Sequence, residues 1–280
     1  MQRKRRSLRV ALVSMKYQLG DVEFNLERHR HWLARAMETD PAFIGFPEFS
    51  LTGWAEEPHQ ALRLDCLALA EVEGWAKRRR VWIGVGLVER HGKVRHNTVV
   101  IFGPRGRVGF MRKINLGRRE LLNYTPGREF PVFEVAGCRM AVNTCADASV
   151  YEMFHIFSLR GAEVIFAPHA NSLHSYGNCP AGWFRWRMQE WPSWIARTRT
   201  YVLGVNCAGL FEGRAPADEP TKYCGGGMVM DWTGKPVVRA PARTKRECIF
   251  TADLDLAALR EARAKQDDTF QKGIVYPHLF

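Results

Sequence analysis

The chain has 280 residues, of which 46% are hydrophobic and 25% are charged, a composition typical of a globular protein with a packed core. Its apolar runs all fall short of the roughly 20 residues needed to cross a bilayer, so we expect no membrane span. The formal net charge is +12, but the basic residues form short, scattered clusters without a recognisable nucleic-acid-binding module. We therefore expect a solvated basic surface and no binding to nucleic acid.

The N-terminal segment, residues 1–7, is predicted to be a basic tail. The apolar stretch that follows it is too short and too charged for the core of a signal peptide, so we predict a cytoplasmic protein. Residues 8–14 then indicate a buried strand, and Asp21 is placed to cap a helix whose apolar positions recur every three or four residues as far as Met37. Residues 42–46 indicate a second strand, so the chain begins with an α/β pattern.

The next segment changes from helical to strand periodicity. A second helix is predicted over residues 59–79, followed by strands over 81–88, 97–102 and 107–112. Tight glycine-containing turns join these strands, which makes them antiparallel neighbours, and we therefore expect the sheet to be mixed. Residues 114–130 show no period and are predicted to form a loop.

A cysteine stands where the next strand should give way to a helix. Residues 138–143 indicate a strand, residues 150–159 a helix and residues 163–167 another strand, with Cys145 in the first turn. We expect nearby backbone N–H groups and the positive end of the helix dipole to favour the thiolate of Cys145. A single cysteine taken alone is more often a small buried hydrophobic residue.

The remaining elements complete a single domain over residues 1–280. They are a polar loop over 171–179, an aromatic-rich helix over 181–199 interrupted by Pro192, strands over 201–206, 226–230, 235–239 and 248–252, a helix over 253–265 and a C-terminal tail over 266–280. The chain contains no linker, repeat or low-complexity stretch. One domain is therefore the simplest interpretation.

The seven cysteines and nine histidines do not indicate a cofactor or a metal site. The cysteine count is odd and contains no C-x-x-C pair, which favours reduced thiols over a disulfide framework or a zinc ribbon. The histidines form no H-x-x-x-H or H-E-x-x-H arrangement. We therefore expect no cofactor and no metal.

Three chemically reactive side chains follow predicted strands. They are Glu48, Lys113 and Cys145. A carboxylate, an ammonium and a thiol on neighbouring loops would supply a general base, a group that stabilises an oxyanion, and a nucleophile. Taken singly, Glu48 and Lys113 would be interpreted as surface charges.

Three stretches of the chain together resemble the motifs of the carbon–nitrogen hydrolase (nitrilase) superfamily. They are Phe46-Pro47-Glu48-Phe49-Ser50-Leu51-Thr52-Gly53-Trp54, Arg112-Lys113-Ile114-Asn115-Leu116, and Cys145-Ala146-Asp147 with Glu152 and Leu159-Arg160-Gly161-Ala162-Glu163-Val164-Ile165-Phe166 after it. The order Glu, Lys, Cys is that of the superfamily. The similarity extends from about residue 8 to the C-terminal helix.

The resemblance implies roles for individual residues. Glu48 would be the general base, Lys113 would stabilise the oxyanion with the backbone N–H after the nucleophile, and Cys145 would be the nucleophile. Many members have a further active-site glutamate, for which the spacing to Gly127 favours Glu120 over Glu129. Trp54, Ala146, His169 and Asn171 are candidates for binding the substrate, although loop capping and core packing explain them equally well.

The resemblance also implies an architecture and a reaction. The fold would be α/β, a four-layer α-β-β-α sandwich with two mixed β-sheets, commonly paired into a homodimer. The reaction would be a metal-free hydrolysis of a small amide through a thioester. An amidase is our first hypothesis, an N-carbamoyl amide hydrolase the second, and a nitrilase the third because the usual Cys-Trp-Glu of nitrilases is replaced by Cys145-Ala146-Asp147.

Two other departures from the superfamily pattern follow the nucleophile, where Val150-Tyr151 and His155 replace the expected Phe-Pro and arginine. We expect them to alter helix packing, with some effect on the pocket. From other classes of protein, a catalytically silent scaffold and a nucleic-acid-binding protein remain as alternatives. The intact Glu-Lys-Cys set argues against the first of these, and the scattered basic residues argue against the second.

Overall fold

The computed structural model describes residues 6–54, 57–179, 181–211, 221–240 and 246–265, so most of the predicted N-terminal tail and the whole C-terminal tail over 266–280 lie outside the described residues. The strands are β1 (Ser7–Ser14), β2 (Phe43–Gly45), β3 (Trp82–His91), β4 (Val94–Gly103), β5 (Gly106–Arg112), β6 (Phe133–Val135), β7 (Cys138–Val142), β8 (Val164–His169), β9 (Tyr201–Asn206), β10 (Leu210–Phe211), β11 (Thr221–Lys222), β12 (Gly227–Met230), β13 (Pro236–Ala240) and β14 (Cys248–Asp255). The helices are α1 (Val22–Met37), α2 (Leu67–Arg79), α3 (Tyr151–Leu159), α4 (Gly182–Thr198) and α5 (Leu256–Ala264).

Two six-stranded sheets form the centre of the fold. The first has the strand order β14-β1-β2-β3-β4-β5 and the second β13-β12-β9-β8-β7-β6, while β10 and β11 form a separate pair. In each large sheet three central strands are parallel, namely β1, β2 and β3 in the first and β7, β8 and β9 in the second. The outer strands pair antiparallel. The prediction of mixed sheets is confirmed.

The helices cover the outer faces of the sheets, and the inner faces pack against each other. Helices α1 and α2 share an apolar cluster with one face of the first sheet. A second cluster joins the other face of that sheet to the second sheet and to α3 and α4. The alternation of side chains along each strand makes this possible, since β1 sends Ala11 to one cluster and Leu12 to the other. The expected four-layer α-β-β-α sandwich is confirmed.

Phe166 of β8 inserts between the two sheets. Its ring lies 5.2 Å from the ring of Phe43 in β2, centroid to centroid. Gly45 and Gly84 leave room for it, because a Cβ atom on either glycine would come within 2.5 Å or 2.9 Å, respectively, of the Phe166 ring. The close approach of the sheets at this point therefore depends on two glycines.

The structure corrects the start of α2. The helix predicted over residues 59–79 begins only at Leu67, after a single 3-10 turn at Pro58–Gln60. In between, the Leu62 N–H donates to the Val88 carbonyl, and the Arg90 N–H donates to the Leu62 carbonyl. Leu62 therefore extends the β3 edge and cannot also belong to a helix.

Two further element predictions were wrong in detail. Helix α4 continues through Pro192, because a proline fits helical φ and removes only one backbone hydrogen bond, while Trp191 and Ile195 stay fully buried. The last helix begins at Leu256 instead of residue 253, because β14 runs on to Asp255, which caps the helix by accepting from the Ala258 N–H. The short strands β6, β10 and β11 were not predicted.

The three candidate reactive residues follow strands of both sheets. Glu48 comes after β2 and Lys113 after β5 of the first sheet, and Cys145 comes after β7 of the second. Because the sheets are stacked, loops from different layers meet at one end of the sandwich. Within the described ranges, no helix is both long and apolar enough to cross a membrane.

Candidate active site

Cys145 occupies a strained turn at the end of a central parallel strand. Its φ is +50°, in the left-handed region that non-glycine residues seldom adopt. The turn is held by the Cys145 N–H, which donates to the Pro168 carbonyl at 3.0 Å. Asn171 Nδ2 donates to Cys145 Sγ at 3.3 Å, so the amide of Asn171 faces the sulfur. A strained turn that exposes one side chain is a common setting for a nucleophile.

A buried ammonium group joins two carboxylates beside this turn. Lys113 Nζ donates to Glu48 Oε1 at 2.9 Å and to Glu120 Oε2 at 2.7 Å. Asn97 Nδ2 donates to both carboxylates as well, at 2.7 Å in each case. The side chains of Lys113, Glu48 and Glu120 are only 2–4% exposed. Two carboxylates and two nitrogen donors therefore form a closed network that is shielded from solvent.

The charges in this network shift the pKa values of its members. Burial alone would lower the pKa of Lys113, but its electrostatic interactions with Cys145, Glu48 and Glu120 outweigh burial and raise this pKa well above its ordinary value. The ammonium therefore stays protonated. Burial raises the pKa of Glu48, and the nearby Glu120 adds to the rise while Lys113 opposes it. Glu48 is consequently a stronger base than an exposed carboxylate.

The thiol environment differs from the one predicted. Burial raises the pKa of Cys145 to about 12, Glu48 adds to the rise, and Lys113 opposes it. A single 3-10 turn, Asp147–Ser149, separates the cysteine from α3, so the helix N-terminus does not directly follow the sulfur. The expectation of a stabilised thiolate was wrong. The sulfur carries its proton at rest, so a base must remove that proton when the sulfur attacks.

Asp147 links the loop that carries Lys113 to the loop that carries Cys145. Its carboxylate accepts from the backbone N–H groups of Ile114 and Asn115, the latter at 2.6 Å, and from Asn115 Nδ2 at 3.0 Å. Burial raises the pKa of Asp147 to about 6 against these hydrogen bonds. The aspartate of the cysteine motif therefore fixes the distance between the two loops.

The structure places the two candidate glutamates in different surroundings. Glu120 begins a 3-10 turn, and its carboxylate also accepts from the Gly117 N–H at 2.7 Å. Glu129 is exposed, and its charge acts on Arg112. Glu120 is therefore the glutamate that lies beside Lys113.

The four predicted pocket residues lie in three surroundings. Asn171 contacts the sulfur, and Ala146 is half-buried in the turn after Cys145. Trp54 packs with Phe49 and Tyr124, with ring centroids 5.3 Å and 5.6 Å away. His169 is fully buried, and its ring packs edge-on against Trp183 at 5.1 Å. The role of His169 in binding the substrate stays a prediction.

Sequence reasoning missed the role of Asn97. Nothing in the sequence indicated that the Asn97 amide bridges Glu48 and Glu120. The only sequence signal for Asn97 was its register in the hairpin. The turn at residues 91–92 pairs Asn97 of β4 with Val88, near the end of β3. Among the described residues, no group of three or more His, Cys, Asp and Glu side chains is arranged to hold a metal ion.

Comparison with known proteins shows the family of the chain. The carbon–nitrogen hydrolase family model matches residues 9–264. The chain is 30% identical to a protein of Pyrococcus abyssi named nitrilase, over 91% of this chain and 93% of that one. It is 26% identical to the omega-amidase NIT2 of Xenopus tropicalis, over 89% and 92% of the two chains.

A solved structure shares the fold. The carbon–nitrogen hydrolase of Helicobacter pylori superposes with a TM-score of 0.80 at 19% identity, and the match covers 92% of each chain. This chain belongs to the carbon–nitrogen hydrolase family.

Proposed function

We propose that the protein is an amidase that releases ammonia from a small amide through a thioester on Cys145. The observation that carries this proposal is the buried Glu48–Lys113–Glu120 network, whose charges act directly on the Cys145 thiol. The network offers a proton acceptor and a fixed positive charge beside a nucleophile. Hydrolysis of an amide through a thioester uses all three.

The first half of the reaction forms a thioester. Glu48 takes the proton from Cys145 Sγ as the sulfur attacks the amide carbon, and the Lys113 ammonium stabilises the oxyanion together with the backbone N–H of Ala146. Glu48 then returns the proton to the leaving nitrogen, and the carbon–nitrogen bond breaks. Since the thiol is protonated at rest, proton removal and attack are coupled.

The second half hydrolyses the thioester. Glu48 takes a proton from a water molecule that attacks the acyl carbon, and the carbon–sulfur bond breaks with reprotonation of the sulfur. Glu120 and Asn97 hold Lys113 and Glu48 in place throughout. No step of this scheme uses a metal or a cofactor.

The choice of an amide substrate is supported by the relatives named omega-amidase. An N-carbamoyl amide and a nitrile are the competing substrates, the latter favoured by the relative named nitrilase. The single domain, the homodimer and the cytoplasmic location stay predictions.

The test is a panel of primary amides, N-carbamoyl compounds and nitriles, scored by ammonia release and by the mass of an adduct on Cys145. We expect primary amides to be hydrolysed fastest. Cys145→Ala should abolish the activity, whereas Cys66→Ala, a half-buried cysteine at the start of α2, should retain it. Ammonia release by Cys145→Ala at the wild-type rate would overturn the mechanism.

The same panel separates this proposal from functions of other classes. A folded protein that hydrolyses no compound and forms no adduct would favour a catalytically silent scaffold. Salt-dependent binding to a nucleic-acid duplex that is unaffected by Cys145→Ala would instead indicate a nucleic-acid-binding protein.

A further inference from the structure

Arg187 is a fully buried arginine on α4, with an exposed fraction of 1%. Its guanidinium reaches across to the loop of the nucleophile. Nη1 donates to the Ala148 carbonyl at 2.9 Å and to Ser149 Oγ at 3.0 Å, and Nη2 donates to the carbonyl of Cys145 itself at 3.3 Å. Three hydrogen bonds from one planar group therefore end on the turn that holds the thiol.

Among the residues that the structure describes, no carboxylate accepts a hydrogen bond from the Arg187 guanidinium. Within the described ranges, its one ion-pair partner is Glu190, at 3.9 Å and with a side chain that is 27% exposed. The guanidinium carbon instead lies 4.5 Å and 5.2 Å from the ring centroids of Trp186 and Trp191. Burying a charge is costly, so this arrangement persists only because carbonyl dipoles and aromatic faces replace water. The positive charge therefore remains available to act on nearby groups.

The contacts of Arg187 fall where the backbone is strained. Cys145 has a φ of +50°, a conformation that costs of order 1–3 kcal/mol in a non-glycine residue and needs support from its surroundings. The Cys145 carbonyl accepts from the Ala148 N–H at 3.1 Å as well as from Arg187. Trp191 Nε1 donates to the Ala148 carbonyl at 2.9 Å. Helix α4 thus holds two carbonyls of the turn from the same side.

The sulfur lies within the electrostatic range of this cation. Burial raises the pKa of the Cys145 thiol, and the carboxylates of Glu48 and Glu120 add to the rise. Two cations, Lys113 and Arg187, oppose it. Lys113 belongs to the network with the base, whereas Arg187 reaches the turn from α4.

We propose that Arg187 is a positioning residue for the nucleophile: its guanidinium fixes the strained Cys145 turn and stabilises the negative charge that develops on the sulfur. This inference rests on the proposed function, because it assigns Arg187 a role in the attack by Cys145. Sequence reasoning did not find Arg187, since it lies on a helix far along the chain and in no motif.

The experiment compares three variants. Arg187→Met removes the charge at similar length, Arg187→Lys keeps a charge but loses the planar fork, and Arg185→Met removes an exposed cation from the same helix as a matched control. The first readout is the rate at which methyl methanethiosulfonate, a small uncharged thiol reagent, modifies Cys145 between pH 7 and 10. Mass spectrometry of the Cys145 peptide separates this rate from those of the other cysteines. The second readout is kcat and KM on the best amide of the panel.

We expect Arg187→Met to slow modification of Cys145 about tenfold or more at each pH, because the thiolate fraction falls. Its kcat should fall roughly 10- to 100-fold with little change in KM, because a misplaced nucleophile weakens the transition state more than substrate binding. Arg187→Lys should recover much of the modification rate but less of kcat. Arg185→Met should match the wild-type protein in both.

The modification rate needs no substrate, so it tests Arg187 even if the proposed function fails. A folded Arg187→Met protein with the wild-type modification rate and kcat would overturn the inference. If Arg187→Met does not fold, the lysine variant decides the matter. Wild-type values in both readouts for Arg187→Lys would then contradict a role for the planar fork.

Discussion

At the scale of single residues, the buried ammonium of Lys113 depends on its two carboxylate partners. Removing one partner of a buried ion pair leaves a charge without compensation and commonly destabilises a protein by about 3–5 kcal/mol. Glu48 and Glu120 share this ammonium, at 2.9 Å and 2.7 Å. Both are glutamates, but their proposed roles differ: only Glu48 exchanges a proton with the sulfur, whereas Glu120 holds Lys113 in place. A substitution at Glu120 can therefore separate positioning from proton transfer.

We predict that Glu120→Gln lowers kcat roughly 10- to 100-fold with a smaller effect on KM, because one oxygen remains for Lys113 or Asn97 but not both. The negative charge of Glu120 raises the pKa of Glu48, so its removal should lower that pKa. Because Glu48 acts as a base only when ionised, the acidic limb of the pH profile of kcat/KM should move to lower pH. Steady-state kinetics from pH 4 to 9 measure both effects.

Glu129→Gln is the matched control, since Glu129 is exposed and lies nine residues further along the same loop. It should leave kcat and the pH profile unchanged. A larger loss of kcat in this variant than in Glu120→Gln would show that the second active-site glutamate had been assigned to the wrong residue.

Residue identities in the candidate site were predictable where a motif surrounds them. Glu48, Lys113 and Cys145 stand within runs of characteristic neighbours, and Glu120 followed from its spacing to Gly127. The protonation state of Cys145 was not predictable, because it depends on how completely distant segments exclude water from the sulfur. The role of Arg187 was not predictable for a similar reason, since its hydrogen-bond partners come from a loop distant in sequence.

At the scale of elements, the two sheets meet through an aromatic ring packed onto glycines. We predict that Gly45→Ala lowers the free energy of unfolding by about 1–3 kcal/mol, because its Cβ would lie 2.5 Å from the Phe166 ring and 2.8 Å from a Leu12 methyl. Denaturation by urea, followed by circular dichroism, measures the change. Gly74→Ala is the control, because its Cβ would meet only the flexible end of Arg78 and alanine favours the helix.

The cause can be verified by adding Phe166→Leu to each protein. If the new methyl group clashes with the Phe166 ring, Gly45→Ala should lower the free energy of unfolding less in the Phe166→Leu background than in the wild type. The difference between the two losses is the coupling energy of the pair. Equal costs in both backgrounds would show that the strain arises elsewhere.

The elements themselves were largely predictable, and the errors share a cause. The first strand, its following helix and the hairpins of the first sheet were located from periodicity and turn residues. The start of α2 and the end of β14 were misplaced because pairing with a neighbouring strand, which depends on residues far away in sequence, decided the boundary. A tertiary contact outweighed the local preference in both places.

At the scale of the whole molecule, buried histidines should make the fold sensitive to acid. His29 lies on α1 with its ring 4.4 Å from the Phe46 ring, and burial lowers its pKa from 6.5 to about 4. The pKa values of His96, His155 and His169 are lowered as well, also by burial. In the unfolded chain these groups bind protons at a higher pH than in the folded protein. The stability that these neutral histidines contribute is therefore present above pH 6.5 and is lost as the pH falls toward 4.

We predict that the His29 contribution makes the free energy of unfolding about 2 kcal/mol lower at pH 5 than at pH 7. His29→Gln should reduce the difference in the free energy of unfolding between pH 7 and pH 5 by about that amount, whatever the stability of this variant at pH 7. Urea denaturation at both pH values measures it, with His31→Gln, an exposed histidine of the same helix, as the control. An unchanged difference between pH 7 and pH 5 in His29→Gln would refute the assignment.

The stacking of the two sheets has a consequence for how the activity arises during folding. The base and the ammonium follow strands of the first sheet, while the nucleophile follows a strand of the second. Under the proposed mechanism neither half of the sandwich is an enzyme alone, however well its strands have paired. We therefore expect activity to appear during refolding only when the two sheets pack against each other. Activity would then report on the packing of Phe166 between the sheets, which a secondary-structure signal does not measure.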